Sequence, residues 1–289
     1  MLRALALLLA ALPLAAQYPP VLPGAREEVY KTIGETRLRL WIFTPEQTSN
    51  PQPRPAIVFF FGGGWTSGTP GQFEQQAKLL RARGMVAIVA DYRVASRHQV
   101  KADACLRDAK SALRYVRANA RRLGIDPDRI AAGGGSAGGH LAAATAALPG
   151  FEEAGEDTAI SSRPNALVLF NPVLVLGAVA GAELPKDPIR LDANRFGVPP
   201  AELSPYHHLQ RNGPPTIIFH GEADTTVPLA SIELYRDRAV SLGIACELVR
   251  YPGQTHGFFN YGRGNNEFFE KTTARMVAFL DQLGYLAGA

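Results

Sequence analysis

Short, nearly continuous apolar runs alternate along this chain with longer stretches whose apolar positions recur at helical spacing. Strands buried on both faces read as continuous apolar runs, and their alternation with helical patterns marks a mainly parallel sheet with crossover helices. Ala56 to Phe61, Met85 to Asp91, Arg129 to Gly133, Ala166 to Phe170, Thr216 to His220 and Ala245 to Tyr251 read as such strands. Val29 to Ile33 and Leu38 to Phe43, joined through Gly34-Glu35, read as an opening antiparallel pair. Helices are predicted from Gln72 to Arg83, Ala102 to Leu123, Leu229 to Leu242 and Glu267 to Leu283, with another running from about His140 to Ala147. The second of these carries apolar residues at 102, 105, 106, 109, 112, 113, 116, 120 and 123, a 3.6-residue period. The pattern predicts an α/β fold of eight strands in one domain, residues 17–289, with no internal repeat. Two short irregular insertions, Leu148 to Pro164 and Pro172 to Gly213, are the material for a cap.

After the fifth predicted strand the chain reads Gly133-Gly134-Gly135-Ser136-Ala137-Gly138-Gly139. A serine in G-x-S-x-G, between a strand and a helix, sits on a sharp turn that exposes its hydroxyl above the sheet. Glycines suit such a turn because it strains the backbone and draws neighbouring chains close. Gly133, Gly135 and Gly138 also satisfy G-x-G-x-x-G, but a dinucleotide site needs an acidic residue about 20 positions on, ending the next strand. Here the chain runs instead through a helix into Pro149-Gly150 and an acidic loop. A P-loop is excluded because no Gly-Lys-Ser/Thr follows.

The formal charge of +4 is diffuse, with Arg121-Arg122 its densest pair and no basic run interleaved with aromatics, which argues against a nucleic-acid partner. Met1 to Ala16 has one arginine, a Leu/Ala run too short to span a bilayer and a small-residue end at Ala15-Ala16. It reads as a signal peptide cut before Gln17, which predicts a secreted or periplasmic protein. Cys105 falls on an apolar helix face and Cys246 at the start of a late strand, so two buried free thiols are expected rather than a bridge.

A serine hydroxyl needs a base to take its proton and a third group to orient that base. Of the six histidines, His256 in Gln254-Thr255-His256-Gly257-Phe258 occupies the loop after the last strand, where strand C-termini share one edge. Chain order then asks for an acid between Ser136 and His256, and Asp224 leaves the end of the seventh strand, with Glu222 as its rival. The oxyanion hole needs backbone N–H groups from the residue after the nucleophile, Ala137, and from the loop after the third strand. In Phe61-Gly62-Gly63-Gly64-Trp65 the candidates are Gly63 and Gly64. Arg93, Arg97 and His98 follow the fourth strand at the same edge, within reach of an acidic or sugar-linked substrate, or Arg93 pairs with a helix carboxylate such as Asp108. Trp65, Tyr206 and Phe258 are candidates for an aromatic platform under a sugar or ferulate ring, or for rim packing.

Together, the elbow, the glycine loop, Asp91-Tyr92-Arg93, Asp224 and His256 resemble the α/β-hydrolase superfamily over roughly Val29 to Leu283. Within it they resemble the acetylesterase/lipase group related to hormone-sensitive lipases and to small bacterial feruloyl and acetyl-xylan esterases. The resemblance implies Ser136 as nucleophile, Asp224 and His256 as its partners, and Gly63, Gly64 and Ala137 as oxyanion donors, with no metal or organic cofactor. It implies a serine esterase acting on a small-molecule or saccharide ester, with acylated plant polysaccharide among the candidates. Neither insertion carries a long amphipathic helix to wall a fatty-acyl tunnel, so short acyl groups are expected. Two departures stand out: Phe61 where the family usually has histidine, and Gly135 where aspartate is common. The rival readings are a peptidase of the prolyl oligopeptidase type, which the lack of a propeller before the elbow disfavours, and a non-catalytic ligand-binding homologue, which tends to lose the histidine.

Overall fold

The computed structural model describes residues 18–46, 52–182 and 193–286; the expected signal peptide, Met1 to Ala16, lies outside the described residues. The strands are β1 (Arg26–Ile33), β2 (Thr36–Phe43), β3 (Arg54–Phe60), β4 (Val86–Ala90), β5 (Ile125–Gly135), β6 (Ala166–Phe170), β7 (Thr216–Gly221) and β8 (Cys246–Tyr251). The helices are α1 (Glu74–Ala82), α2 (Ala95–His98), α3 (Ala102–Ala118), α4 (Ala120–Leu123), α5 (Ala137–Ala147), α6 (Ala193–Phe196), α7 (Leu229–Ser241) and α8 (Glu267–Gln282). One eight-stranded sheet runs in the order β1-β2-β4-β3-β5-β6-β7-β8. β2 is antiparallel to both β1 and β4, and every other pairing is parallel. This is the α/β-hydrolase arrangement the sequence implies, with Ser136 following β5.

Alternation of side chains sorts the core onto the two faces of the sheet. Val58, Ile88, Ala132, Leu169 and Ile218 meet Leu106, Leu113, Leu141 and Ile232 of α3, α5 and α7. Ile57, Phe59, Val89, Val168 and Phe219 meet Ala77, Leu80, Met276 and Leu280 of α1 and α8 on the other face. With both faces covered, β4 and β6 are buried throughout, which is why their sequences carry no polar residue.

The helix expected from Ala102 to Leu123 breaks at Asn119. Asn119 leaves the helical region at φ −101 and ψ 12, and its side chain joins its own backbone N–H on the Tyr115 carbonyl, at 2.9 and 3.0 Å; α4 then ends on Gly124 in the left-handed region. Cys105 is buried as expected, but Cys246 on the edge strand β8 is only half-buried; both thiols are free. The insertion 148–164 is no cap. Its acidic residues are bound against α3 and β1, with Glu152 meeting Lys110 of α3 at 2.9 Å and Glu153 meeting Lys31 of β1 at 2.6 Å. The second insertion does reach the catalytic edge: Phe196 packs on Trp65, and the Leu203 carbonyl accepts from His140.

α5 starts against the end of β3 with almost no gap. A Cβ on Gly138 would stand 2.0 Å from the Phe60 carbonyl oxygen and 2.4 Å from that of Phe61. Gly138→Ala is therefore expected to lower stability by several kcal/mol, on the order of 3 or more, because two backbones must part. Gly150→Ala, with open space around the new methyl but φ +74, is expected to cost about 1 kcal/mol. Urea midpoints of the two variants check the ranking, and equal losses would refute it.

Candidate active site

Ser136 takes φ 53 and ψ −117, a strained conformation for a residue with a Cβ, between the end of β5 and the first turn of α5. Its N–H is held by the Phe170 carbonyl at 2.9 Å, and its own carbonyl accepts the His140 N–H at 2.9 Å. The backbone is thus fixed on both sides while Oγ stays half-exposed. The Oγ lies 2.9 Å from Nε2 of His256, and Nδ1 of His256 lies 2.8 Å from Oδ2 of Asp224. The carboxylate accepts from Nδ1–H, which leaves Nε2 free to accept the serine proton.

Asp224 is fully enclosed, and it also accepts from the N–H groups of Thr226 at 2.8 Å and Val227 at 2.9 Å and from Nδ2 of Asn171 at 2.9 Å. Burial pushes its carboxyl upward, but the His256 bond and charge and the Val227 N–H outweigh it and hold the group below the usual aspartate range. Glu222 points elsewhere, to Arg250 at 2.8 Å on the exposed edge. His140 is buried between the Trp65 indole N–H, 3.2 Å from Nδ1, and the Leu203 carbonyl, 2.7 Å from Nε2. Burial pushes its pKa down to about 4, so it stays neutral.

The glycine loop presents amides beside the hydroxyl. The Gly62 N–H is occupied by Oε1 of Gln72 at 2.6 Å. The Gly63 carbonyl accepts from both Thr66 and Ser67 at 3.1 Å, and because N–H and C=O of a trans peptide point opposite ways, the Gly64 N–H faces away from that turn. Gly63 itself has φ 119, and a Cβ there would meet the Ser67 oxygen at 2.2 Å. Ala137 is the first residue of α5, where a backbone N–H has no helical partner. Donors at Gly63, Gly64 and Ala137 could therefore receive a developing negative charge.

Both departures from the family pattern have a structural counterpart. The Phe61 ring stacks on Tyr92 at 4.1 Å, and the Tyr92 hydroxyl donates to the Phe61 carbonyl at 2.7 Å, so Tyr92 and Gln72 supply the loop's polar anchors. The space a side chain at Gly135 would take is filled by the Phe259 ring, 2.6 Å from the Cβ position.

The expected substrate contacts need correction. Arg93 is held by Asp108 through Nε at 2.8 Å and Nη2 at 2.9 Å, with Glu153 beyond, so its guanidinium is neutralised inside the protein. Arg97 donates to the Gly68 carbonyl at 2.9 Å, and Nδ1 of His98 accepts from the Val94 N–H at 3.1 Å; both brace the loop. Trp65 is 2% exposed and Phe258 3%, the latter packed on Tyr251 and Phe268. Tyr206 lies under the Arg238 guanidinium at 4.9 Å. No platform of these three rings forms, because each completes the core or its rim. Asn171, Gln72 and Asn260, which do touch the catalytic loops, carry no motif; the only hint is the turn-like Asn171-Pro172 after β6.

Among the described residues no group of three or more His, Cys, Asp or Glu could hold a metal, and no helix is long and apolar enough to cross a membrane. A cavity of about 330 Å³ lined by Thr145, Leu148, Leu167, Tyr235 and Ile244 lies at the opposite edge of the sheet and includes none of the candidate residues.

The BD-FAE family model matches residues 40–237, and the prolyl oligopeptidase family model matches residues 198–284. Among similar proteins, Esterase LipC of Mycobacterium tuberculosis is 28% identical over 85% of this chain, which spans 64% of LipC. A probable isoprenylcysteine alpha-carbonyl methylesterase of Arabidopsis thaliana is 27% identical, and this chain spans 49% of its length. Carboxylesterase NlhH of M. tuberculosis is 30% identical over 84% of this chain and 78% of its own. Esterase 2 of Thermogutta terrifontis, solved after phosphonylation by sarin, superposes with a TM-score of 0.91 at 48% identity, covering 94% of this chain and 100% of that one. The same protein has been solved with propionate and with butyrate bound.

The Asp91 that opens Asp91-Tyr92-Arg93 supports the loop by accepting from the Tyr92 N–H at 2.8 Å and from the Tyr18 hydroxyl. Burial pushes its carboxyl up to about 6, against the pull of those bonds and of Arg97. An unfolded aspartate titrates near about 3.9, so the native state binds this proton more tightly, and the stability it contributes is full below about pH 4 and lost as pH rises through 6. Carboxylates held low, such as Glu152 and Glu153, give the opposite slope, so the difference between wild type and Asp91→Asn isolates the effect. Urea midpoints from pH 4 to 7 are expected to show Asp91→Asn gaining on wild type as pH rises, and parallel curves would refute this.

Proposed function

The chain belongs to the BD-FAE family and has the α/β-hydrolase fold, and from that premise we propose that it is a serine esterase that hydrolyses short-acyl carboxylic esters through an acyl-enzyme. The observation that carries the proposal is the unbroken chain from Ser136 Oγ through His256 to Asp224, at 2.9 and 2.8 Å, beside the glycine loop and the first turn of α5. In this reading His256 takes the Ser136 proton as Oγ attacks the ester carbonyl. The oxyanion that forms is met by the N–H groups of Gly63, Gly64 and Ala137. His256 then returns the proton to the departing alcohol, and water releases the acid by the reverse sequence. Asp224 stays ionised throughout and stabilises the imidazolium.

Short acyl groups are favoured by two things. The insertion 148–164 lies along α3 and gives the site no wall, and the T. terrifontis esterase, 48% identical, has been solved with propionate and butyrate. A polysaccharide substrate loses its main support with Trp65 and Phe258 buried, so the proposal is a small ester. The prolyl oligopeptidase match spans Asp224 and His256 but not Ser136, and covers less of the chain than the esterase family does.

Ser136→Ala or His256→Ala is expected to lower kcat by roughly 10⁴ to 10⁶, with the double variant little worse, because the two groups act as a unit. Wild type is expected to be labelled once by an organophosphate, and Ser136→Ala not at all. More than a tenth of wild-type activity surviving in Ser136→Ala would sink the assignment. Across p-nitrophenyl esters of increasing chain length, kcat/KM is expected to peak between acetyl and butyryl and to fall at least about tenfold by octanoyl. Each further methylene contributes about 0.8 kcal/mol only where it leaves water. An optimum at octanoyl or beyond would point to a lipase.

A further inference from the structure

The loop that carries His256 is gripped from both sides by side-chain amides. Immediately after His256, the Gly257 N–H donates to Oδ1 of Asn171 at 3.3 Å, and the Gly257 carbonyl accepts from Nδ2 of Asn260 at 2.8 Å. On one side Nδ2 of Asn171 continues to Oδ2 of Asp224 at 2.9 Å, the same oxygen that binds His256. On the other side Oδ1 of Asn260 accepts from Nε2 of Gln72 at 2.9 Å, and Oε1 of Gln72 accepts the Gly62 N–H at 2.6 Å.

The direction of every bond in this chain is forced. An ionised carboxylate only accepts, so the Asn171 amide nitrogen must face Asp224 and its oxygen must face Gly257. A backbone N–H only donates, so the Gln72 oxygen must face Gly62 and its nitrogen must face Asn260. Asn260 is then left with its nitrogen toward the Gly257 carbonyl. No amide can flip without setting two donors or two acceptors against each other. Asn171 is fully buried and sits at φ 43, a left-handed conformation that asparagine tolerates better than other side chains.

We propose that Asn171, Asn260 and Gln72 form a directional amide relay, with the Gly257 peptide as its clamp, that positions the base against the acid and against the oxyanion loop at once. The proposal rests on the esterase reading of Ser136, His256 and Asp224. The three are positioning residues. Asn171 also draws charge from Asp224, and so tempers the pull of that carboxylate on the imidazolium formed during turnover. Gln72 occupies the Gly62 amide, leaving those of Gly63 and Gly64 to the substrate.

Two substitutions cut the relay at separate bonds. Asn171→Gly keeps the left-handed backbone and removes only the amide. Gln72→Glu keeps an acceptor for the Gly62 N–H but cannot donate to Asn260. With p-nitrophenyl butyrate each is expected to lower kcat about 10- to 100-fold, the scale of a misplacement of about 1 Å, with KM within about twofold of wild type. The acid limb of the kcat/KM profile is expected to move to higher pH in Asn171→Gly, because Asp224 then holds the imidazolium more tightly. It is expected to move less in Asn171→Asp, where two buried carboxyls in contact share a proton and the protonated one donates to Asp224 in place of the amide. Because both cuts release the same clamp, the double variant Asn171→Gly/Gln72→Glu is expected to lose much less than the product of the single losses. A role in folding alone would lower the melting temperature and leave the acid limb where it is. An unmoved acid limb in Asn171→Gly, or single losses that multiply, would overturn the relay. Wild-type turnover and its loss in Ser136→Ala are measured beside them, so failure of the esterase reading shows separately as an inactive wild type or an active Ser136→Ala.

Discussion

The structure depends on one close approach, the meeting of β5, α5 and the end of β3 at the elbow. Ser136 can be held at φ 53 only because the backbone on either side is clamped, by the Phe170 carbonyl and by its own bond to His140. The clamp closes only because Gly134 and Gly138 let backbone touch backbone; Cβ atoms there would lie 2.5 Å from the Gly138 backbone and 2.0 Å from the Phe60 oxygen. That same contact brings the end of β3 under the helix N-terminus, which is what sets the Gly63 and Gly64 amides beside the one at Ala137. Nucleophile exposure and oxyanion geometry are therefore two results of a single packing constraint.

Two aspartates at strand ends show how far environment decides ionisation. Asp224 and Asp91 are both buried, and burial alone would push both carboxyls up. Asp224 meets two backbone N–H groups, an amide and an imidazole, and stays a carboxylate ready to support an imidazolium. Asp91 meets one backbone N–H and a phenol, with the Arg97 charge nearby, and is still raised to about 6. One residue is arranged to be charged during turnover and the other to hold a loop. The number and kind of donors around each separates the roles, and neither could be told from residue type.

The succession of strands along the chain, the elbow, and Ser136, Asp224 and His256 as candidates that the fold brings together were legible because each leaves a local signature: a continuous apolar run, a glycine-flanked serine, a polar residue just past a strand end. Contacts between distant segments left none. Nothing local distinguishes an Arg93 that reaches substrate from one that reaches Asp108, 15 positions on. Trp65 and Phe258 sit in glycine-rich loops, which suggests exposure, yet the turns fold their rings inward against His140 and Tyr251. Asn171, Gln72 and Asn260 escape notice for the same reason, since the bonds that join them to other loops, Asn171 to Asp224 and Gln72 to Asn260, span 53 and 188 residues.

Replacing a family histidine by Phe61 exchanges one means of anchoring the oxyanion loop for another. A histidine side chain could hold the loop by its own hydrogen bonds, whereas Phe61 can only pack, and it packs on Tyr92 at 4.1 Å. The polar work then passes to the backbone, where the Tyr92 hydroxyl takes the Phe61 carbonyl and Gln72 takes the next amide, Gly62. Phe259, filling the space beside Gly135, lies between Phe258 and Asn260 in the loop after His256. Each departure at the elbow and the oxyanion loop is thus matched by a contact from an element that also carries part of the relay. In this chain the oxyanion loop and the base loop are fastened to each other, and a change in one is felt at the other.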